Sequence, residues 1–142
     1  FSSNIPYDGE EGSCMIVIAT DAPLANRNLK RMAERVSHAF GRVGAYSSNG
    51  SGDYAIIFST YRPEYQDDKM ISSKELKNSL MNGLFMATVE ATEEAIINSL
   101  FMAESISSKY GKSQALPIDE TMKILKKYKA LNWNNKLYPW EK

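Results

Sequence analysis

Eight residues near the start of the chain, Ser13-Cys14-Met15-Ile16-Val17-Ile18-Ala19-Thr20, form an almost continuously apolar run. A run of this length without polar alternation predicts a β-strand buried on both faces. It stops at Thr20-Asp21-Ala22-Pro23-Leu24, where proline cannot donate to a strand ladder. Immediately before it, Gly12-Ser13 puts a small, sterically open peptide bond at the mouth of the strand. A self-cleaving precursor would hold in this way the bond whose rupture releases a serine with a free amine. Ser13 is therefore a candidate nucleophile, and Gly12-Ser13 a candidate cleavage site.

The remaining inventory excludes most other hydrolytic chemistries. An ordinary serine hydrolase needs an imidazole to take the hydroxyl proton. The sole histidine, His38, falls within an amphipathic helical pattern and reads as a surface or packing residue. One histidine and one cysteine do not make a four-ligand zinc site. Glu90, Glu93, Glu94 and Glu104 lack accompanying histidines and read as a solvated or capping face, so no metal and no cofactor is expected. Catalysis here calls for a base that is neither imidazole nor metal hydroxide. The α-amine of a newly exposed N-terminal residue is one, with an unperturbed pKa of about 7.7–8.0, close to working pH, where a general base is most efficient.

Charge adds further exclusions. Seventeen basic residues balance seventeen acidic ones in 142, so no global field favours nucleic acid or an anionic membrane. The basic cluster Lys123, Lys126, Lys127 and Lys129 lies towards the end of a predicted helix, where cations favour the helix dipole. Cys14 has no partner for an internal disulfide, and the compartment stays open. The first residue is Phe1, and the chain reads as a fragment or a processed piece.

The rest of the pattern alternates. Residues 1–12 read as a mobile polar tail. A helix is predicted from about Asn26 to Phe40, with Leu29, Met32, Ala33, Val36, Ala39 and Phe40 on one face. Arg42 to Tyr46 and Asp53 to Thr60, flanking Asn49-Gly50, predict a hairpin. From Ser73 to about Lys109 the pattern is helical, with a break near Gly83 as one option; its centre, Leu84 to Val89, is apolar nearly all round and is expected to pack on more than one side. Pro117 opens a last helix, with Ile118, Met122, Leu125 and Tyr128 on one face. Trp133, Tyr138 and Trp140 in the tail are expected to dock on the body or on a partner chain.

Three blocks taken together carry a family resemblance. They are Gly-Ser with its apolar strand and Thr20-Asp21-Ala22-Pro23-Leu24; Gly50-Ser51-Gly52-Asp53 running into Ala55-Ile56-Ile57-Phe58-Ser59-Thr60; and Val89-Glu90-Ala91-Thr92-Glu93-Glu94-Ala95-Ile96-Ile97-Asn98. In this order and spacing the chain resembles the β-segment of the L-aminopeptidase/D-esterase family, which includes self-processing D-aminopeptidases and β-peptidyl aminopeptidases. The resemblance implies an α+β fold, a four-layer αββα sandwich like that of N-terminal-nucleophile hydrolases, of which this chain supplies part. It implies a precursor that cuts itself before the nucleophilic serine. Residues 1–12 would end the α-segment, and residues 13–142 would form the β-segment. Carried onto matching positions, Ser13 is the nucleophile, while Ser51 and Asp53 orient and polarise its hydroxyl and amine. Family members often have glutamate where Asp53 stands, so the reach of this carboxylate differs. The implied partners are the chain's own α-segment, which contributes oxyanion donors, short peptide, amide or ester substrates, and further αβ units in a homo-oligomer.

The function expected is thus removal of N-terminal residues from short peptides, amides or esters through an acyl-enzyme on Ser13. Two rivals accompany it. An acyltransferase like the ornithine acetyltransferases would pass the acyl group to an amine, although those usually carry threonine as nucleophile. A non-catalytic homologue would use the fold for assembly alone. From the residues alone, Ser13 also reads as the start of a strand after a glycine turn, and Ser51 and Asp53 as turn formers.

Overall fold

The computed structural model describes residues 12–63 and 74–131. The amino-terminal tail and the aromatic tail with Trp133, Tyr138 and Trp140 lie outside them. The chain is α+β and divides into two units, Phe1–Ile96 and Ile97–Lys142.

In the first unit, β1 (Met15–Thr20) leads into α1 (Asn26–Ala33) and α2 (Val36–Arg42), then β2 (Tyr54–Ser59). The two strands pair in parallel, Met15 opposite Tyr54 through Thr20 opposite Ser59. This replaces the expected hairpin. The Asn49-Gly50 segment does turn, with Ser51 N–H donating to Ser48 O at 2.9 Å, but residues 43–46 follow a helix end and form no strand. Parallel neighbours need a crossover of a dozen or more residues, and α1 with α2 supplies it.

The expected single helix from Asn26 to Phe40 is two. The break falls at Glu34-Arg35, where Glu34 N–H bonds Lys30 O and Arg35 N–H bonds Met32 O, the latter a tightened i→i−3 contact. The apolar spacing runs through the break: Met32, Val36, Ala39 and Phe40 are all buried. Helix α2 then ends in a Schellman pair. Ala45 N–H reaches Phe40 O at 2.9 Å and Gly44 N–H reaches Gly41 O at 3.3 Å, with Gly44 at φ 84°. Glycine meets that left-handed demand without a Cβ penalty.

Contrary to the expectation that β1 is buried on both faces, burial alternates along both strands. Helix α1 packs on β2. Met15, Val17, Tyr54, Ile56 and Phe58 share the opposite face, with exposures from 45% at Phe58 to 66% at Val17. The continuous hydrophobicity of β1 thus reflects an inner face covered by this chain and an outer apolar face left bare by the described residues.

A 3₁₀ turn, Asn78–Leu80, leads into α3 (Met81–Met102), whose run crosses from the first unit into the second. There is no break at Gly83. Met81, Thr88, Val89 and Thr92 are buried, whereas Met86 is exposed, so the centre packs on one face rather than several. Within the first unit, Arg31 and Arg35 lie 4.8 and 3.5 Å from the Phe85 ring centroid. Arg42 of α2 pairs with Glu93 of α3 at 2.8 Å.

The second unit contains the end of α3, a short antiparallel pair β3 (Ile106–Ser108) and β4 (Gly111–Ser113), and α4 (Ile118–Lys127). The helix expected to reach Lys109 therefore stops at Met102. Ser105 Oγ accepts from Ala115 N–H at 2.9 Å and ties the base of this hairpin. Pro117 precedes the first residue of α4 as expected; Met122 and Leu125 are half-buried, but Ile118 and Tyr128 are exposed. Lys126 and Lys127 occupy its last turn.

Candidate active site

Parallel pairing brings together two segments 39 residues apart. Continuing the register back from Met15 and Tyr54 sets Cys14 beside Asp53 and Ser13 beside Gly52. Tyr54 N–H donates to Cys14 O at 2.9 Å, and Cys14 N–H donates to the Asp53 carboxylate (Oδ1) at 3.0 Å. Gly52 N–H donates to Ser13 Oγ at 3.2 Å. Ser51 Oγ donates to the other Asp53 oxygen at 3.0 Å. The three residues singled out in the sequence, Ser13, Ser51 and Asp53, thus meet at the amino-terminal end of the two-stranded sheet.

The glycines at the site differ in what they require. A Cβ built on Gly12 meets nothing within 4 Å, whereas one on Gly52 would lie 3.2 Å from Tyr54 Cε2 and 3.4 Å from Ser13 Oγ. The close backbone approach that calls for glycine is therefore at Gly52.

Hydrogen bonding from Ser47 is the largest influence holding the Asp53 carboxyl below its ordinary range; desolvation pushes the other way, and Ser51 and the Cys14 N–H add to the lowering. Donors aimed at a carboxylate favour its charged form. Asp53 is accordingly an anionic acceptor whose oxygens are fixed by both strand mouths.

A cleft of about 510 Å³ opens beside these groups, with Ser13 and Asp53 on its polar side and Phe40, Val43, Ala45 and Ile96 on its apolar side. His38 is exposed on α2. Among the described residues, no group of three or more His, Cys, Asp or Glu could hold a metal ion. Glu93 is engaged with Arg42. Asp21 does not cap α1, whose Ncap position is Ala25 and carries no side-chain cap; the turn after β1 is held instead by Thr20 Oγ1, which accepts from Ala22 N–H at 3.2 Å. The arrangement offers a hydroxyl that accepts from a backbone donor, an anionic carboxylate, and an amine to come if the peptide bond before Ser13 opens.

Sequence reasoning missed Ser47 and the Gly52 amide. Both lie in the polar stretch Ser47 to Gly52, which marks a loop but carries no sign of which donor points at Asp53 or Ser13.

Comparison with known proteins identifies the family of the chain. The family described as Peptidase family S58 matches residues 2–114. Over 124 residues the chain is 41% identical to the β-peptidyl aminopeptidase BapA of Sphingosinicella microcystinivorans, covering 85% of this chain and 31% of that protein. The PH0078 protein of Pyrococcus horikoshii superimposes with a TM-score of 0.71 at 43% identity, over 80% of this chain and 33% of that one. An L-aminopeptidase D-Ala-esterase/amidase of Ochrobactrum anthropi, described as a prototype of the serine aminopeptidases and a variant of the Ntn hydrolase fold, superimposes with a TM-score of 0.70 at 28% identity, over 81% of this chain and 34% of that one. The chain spans about a third of the length of these relatives.

Proposed function

Since the chain belongs to peptidase family S58, we propose that it is the nucleophile-bearing segment of a self-processing serine aminopeptidase that removes the N-terminal residue of short peptides, amides or esters. The observation that carries this reading is the convergence of Ser13, Ser51 and Asp53 on one sheet end, with Gly52 N–H on Ser13 Oγ at 3.2 Å.

The chemistry runs in two stages. In the precursor, Ser13 Oγ attacks the Gly12 carbonyl carbon; the C–N bond breaks, the Oγ proton passes to the departing Ser13 nitrogen, and an ester to Oγ forms as the amine is released. Water then hydrolyses the ester, leaving Gly12 with a carboxylate and Ser13 with a free α-amine. In turnover, that amine takes the Oγ proton as Oγ attacks the carbonyl of the substrate's first residue, and the proton passes to the leaving amine. Water cleaves the resulting acyl-enzyme. Gly52 N–H, already on Oγ, stabilises negative charge as it develops there. Asp53 holds the Cys14 amide and so the orientation of the Ser13-Cys14 peptide, and its charge favours the ammonium formed during attack; Ser51 fixes the second carboxylate oxygen.

The bare apolar sheet face of β1 and β2 supports the accompanying proposal that a further segment of the protein, the α-segment, packs there as a second sheet layer. The oxyanion donors for the substrate carbonyl belong to that segment, and αβ units assemble into a homo-oligomer.

The test is the intact mass and N-terminal sequence of the purified full-length protein beside Ser13→Ala. A fragment beginning at Ser13 in the wild type, absent from the variant, is the expected result. An uncut wild type with no aminopeptidase activity refutes the reading and leaves the non-catalytic alternative.

A further inference from the structure

Of the three sequence blocks that mark the chain, the first two supply Ser13, Ser51 and Asp53; the third, Val89 to Asn98 on α3, has no part in the chemistry at Ser13. Val89 and Thr92 of that block are buried, and Thr92 Oγ1 donates to Thr88 O at 2.7 Å, so this stretch of helix is fixed to the body of the first unit. Glu93, the next residue, accepts from Arg42 Nη1 at 2.8 Å. Ile96, one helical turn on and so on the same side as Glu93, lines the cleft beside Ser13.

The cation of this pair is placed in the same manner. Arg42 is the last residue of α2 and stands between Phe40 and Val43, which line the same cleft of about 510 Å³. The backbones of α2 and α3 otherwise approach each other little, and among the described residues Arg42–Glu93 is the one salt bridge. With side chains 44% and 32% exposed it adds little to stability, since an exposed ion pair gains modest Coulomb energy and loses side-chain entropy. Its leverage is over the distance between the two elements whose apolar residues wall the cleft.

We propose that the Arg42–Glu93 pair sets the spacing of the cleft walls and so limits how long an aliphatic side chain the first residue of the substrate can carry. The proposal rests on the aminopeptidase reading of Ser13 and names a selectivity device within it. An acyl residue bonded to Ser13 Oγ lays its side chain between Val43 and Ile96, and the pair, drawing the end of α2 towards α3, keeps that space short. Neither charge takes part in the hydrogen bonds around Ser13 and Asp53; Arg42 and Glu93 are positioning residues. With either charge removed the walls separate and a longer side chain is accepted, while the groups that do the chemistry are unchanged.

The test uses the full-length protein as wild type, Arg42→Gln, Glu93→Gln and the double variant, with alanyl and leucyl anilides as probes. Each single variant should raise the leucyl-to-alanyl ratio of kcat/KM by about 1.5- to 5-fold, the leverage of a part-exposed ion pair, through a lower leucyl KM at unchanged kcat. The double variant should match either single one, because the second substitution has no pair left to break. Glu90→Gln, which removes an exposed carboxylate of the same helix, should leave the ratio at the wild-type value. Raising the ionic strength from about 0.1 to about 1 M shortens the Debye length from about 10 to about 3 Å; the wild-type ratio should then move towards that of the variants while the double variant stays in place. A purely structural pair would instead lower the thermal midpoint and both activities together. An unchanged or lowered ratio in the single variants, or additive effects in the double one, overturns the proposal. If the wild type hydrolyses neither anilide, the aminopeptidase reading fails and binding decides the cleft: the ¹³C methyl signal of Ile96, titrated with leucinamide, should shift at about 1.5- to 5-fold lower concentration in Glu93→Gln than in the wild type. Equal titrations, or no shift in either protein, overturn the proposal.

Discussion

Gly52→Ala isolates the contact between the two strand mouths. The added Cβ would sit 3.2 Å from Tyr54 Cε2, 3.4 Å from Ser13 Oγ and 3.8 Å from Tyr54 Oη. The 3.4 Å approach to Ser13 Oγ is an ordinary contact, so the crowding falls on the Tyr54 ring alone. Tyr54 is 64% exposed and its ring has room to swing. Ser13 Oγ, which accepts from the Gly52 amide at 3.2 Å, therefore stays in place. If a 1 Å misplacement costs about 10² in rate, a residual shift under roughly 0.2 Å costs at most about 2- to 3-fold. The backbone at Gly52 is not in the left-handed region, so alanine brings no backbone strain; it should stabilise by about 0.4–1 kcal/mol through the unfolded chain, offset by the local crowding. The assay is the half-life of the precursor and kcat/KM in the matured full-length protein, each beside the thermal midpoint. Cleavage and turnover within about threefold of the wild type, at near-constant stability, are expected. A tenfold or greater loss at unchanged stability would refute the claim that the Tyr54 ring takes up the crowding and leaves Ser13 Oγ in place.

The remaining predictions concern Asp53 and the core. Asp53→Asn should slow both precursor cleavage and hydrolysis, measured by intact mass against time and by initial rates. Because the folded state holds the Asp53 pKa below its ordinary value, its charged form contributes stability that is complete above the unfolded-state pKa of about 3.9 and is lost as pH falls through the lower folded value. The thermal midpoints of wild type and Asp53→Asn should therefore differ near neutral pH and converge in acid, as differential scanning calorimetry across pH would reveal. Met81, 1% exposed, begins α3; Met81→Ala should cost about 2–5 kcal/mol, read from urea unfolding, and a loss under 1 kcal/mol would show that the site collapses freely.

The residues of the site were more legible in the sequence than the fold that joins them. Gly12-Ser13 and Ser51-Gly52-Asp53 stand out through the three-block family resemblance, because glycine, serine and aspartate before a strand are by themselves ordinary turn residues. Their pairing was misread because Asn49-Gly50 is an authentic turn signal, and the turn forms; local chemistry sets that a chain bends, but not which distant strand it joins. The break at Glu34-Arg35 was hidden by apolar spacing that stays in phase through a tightened turn. β3 and β4, Ile-Ser-Ser and Gly-Lys-Ser, have no apolar alternation from which to be read.

The parallel union of β1 and β2 also sets an order of events in synthesis and folding. Ser13 and Gly52 are 39 residues apart, and a parallel ladder closes only after the intervening crossover is in place. A nascent chain that has made β1 but not yet docked β2 holds the Gly12-Ser13 bond without the amide on Oγ or the carboxylate beneath Cys14. Under self-cleavage, scission then serves as a proofreading step: the covalent cut records that the crossover has folded correctly, and chains with misdocked helices stay whole, distinguishable by mass alone from those that are competent.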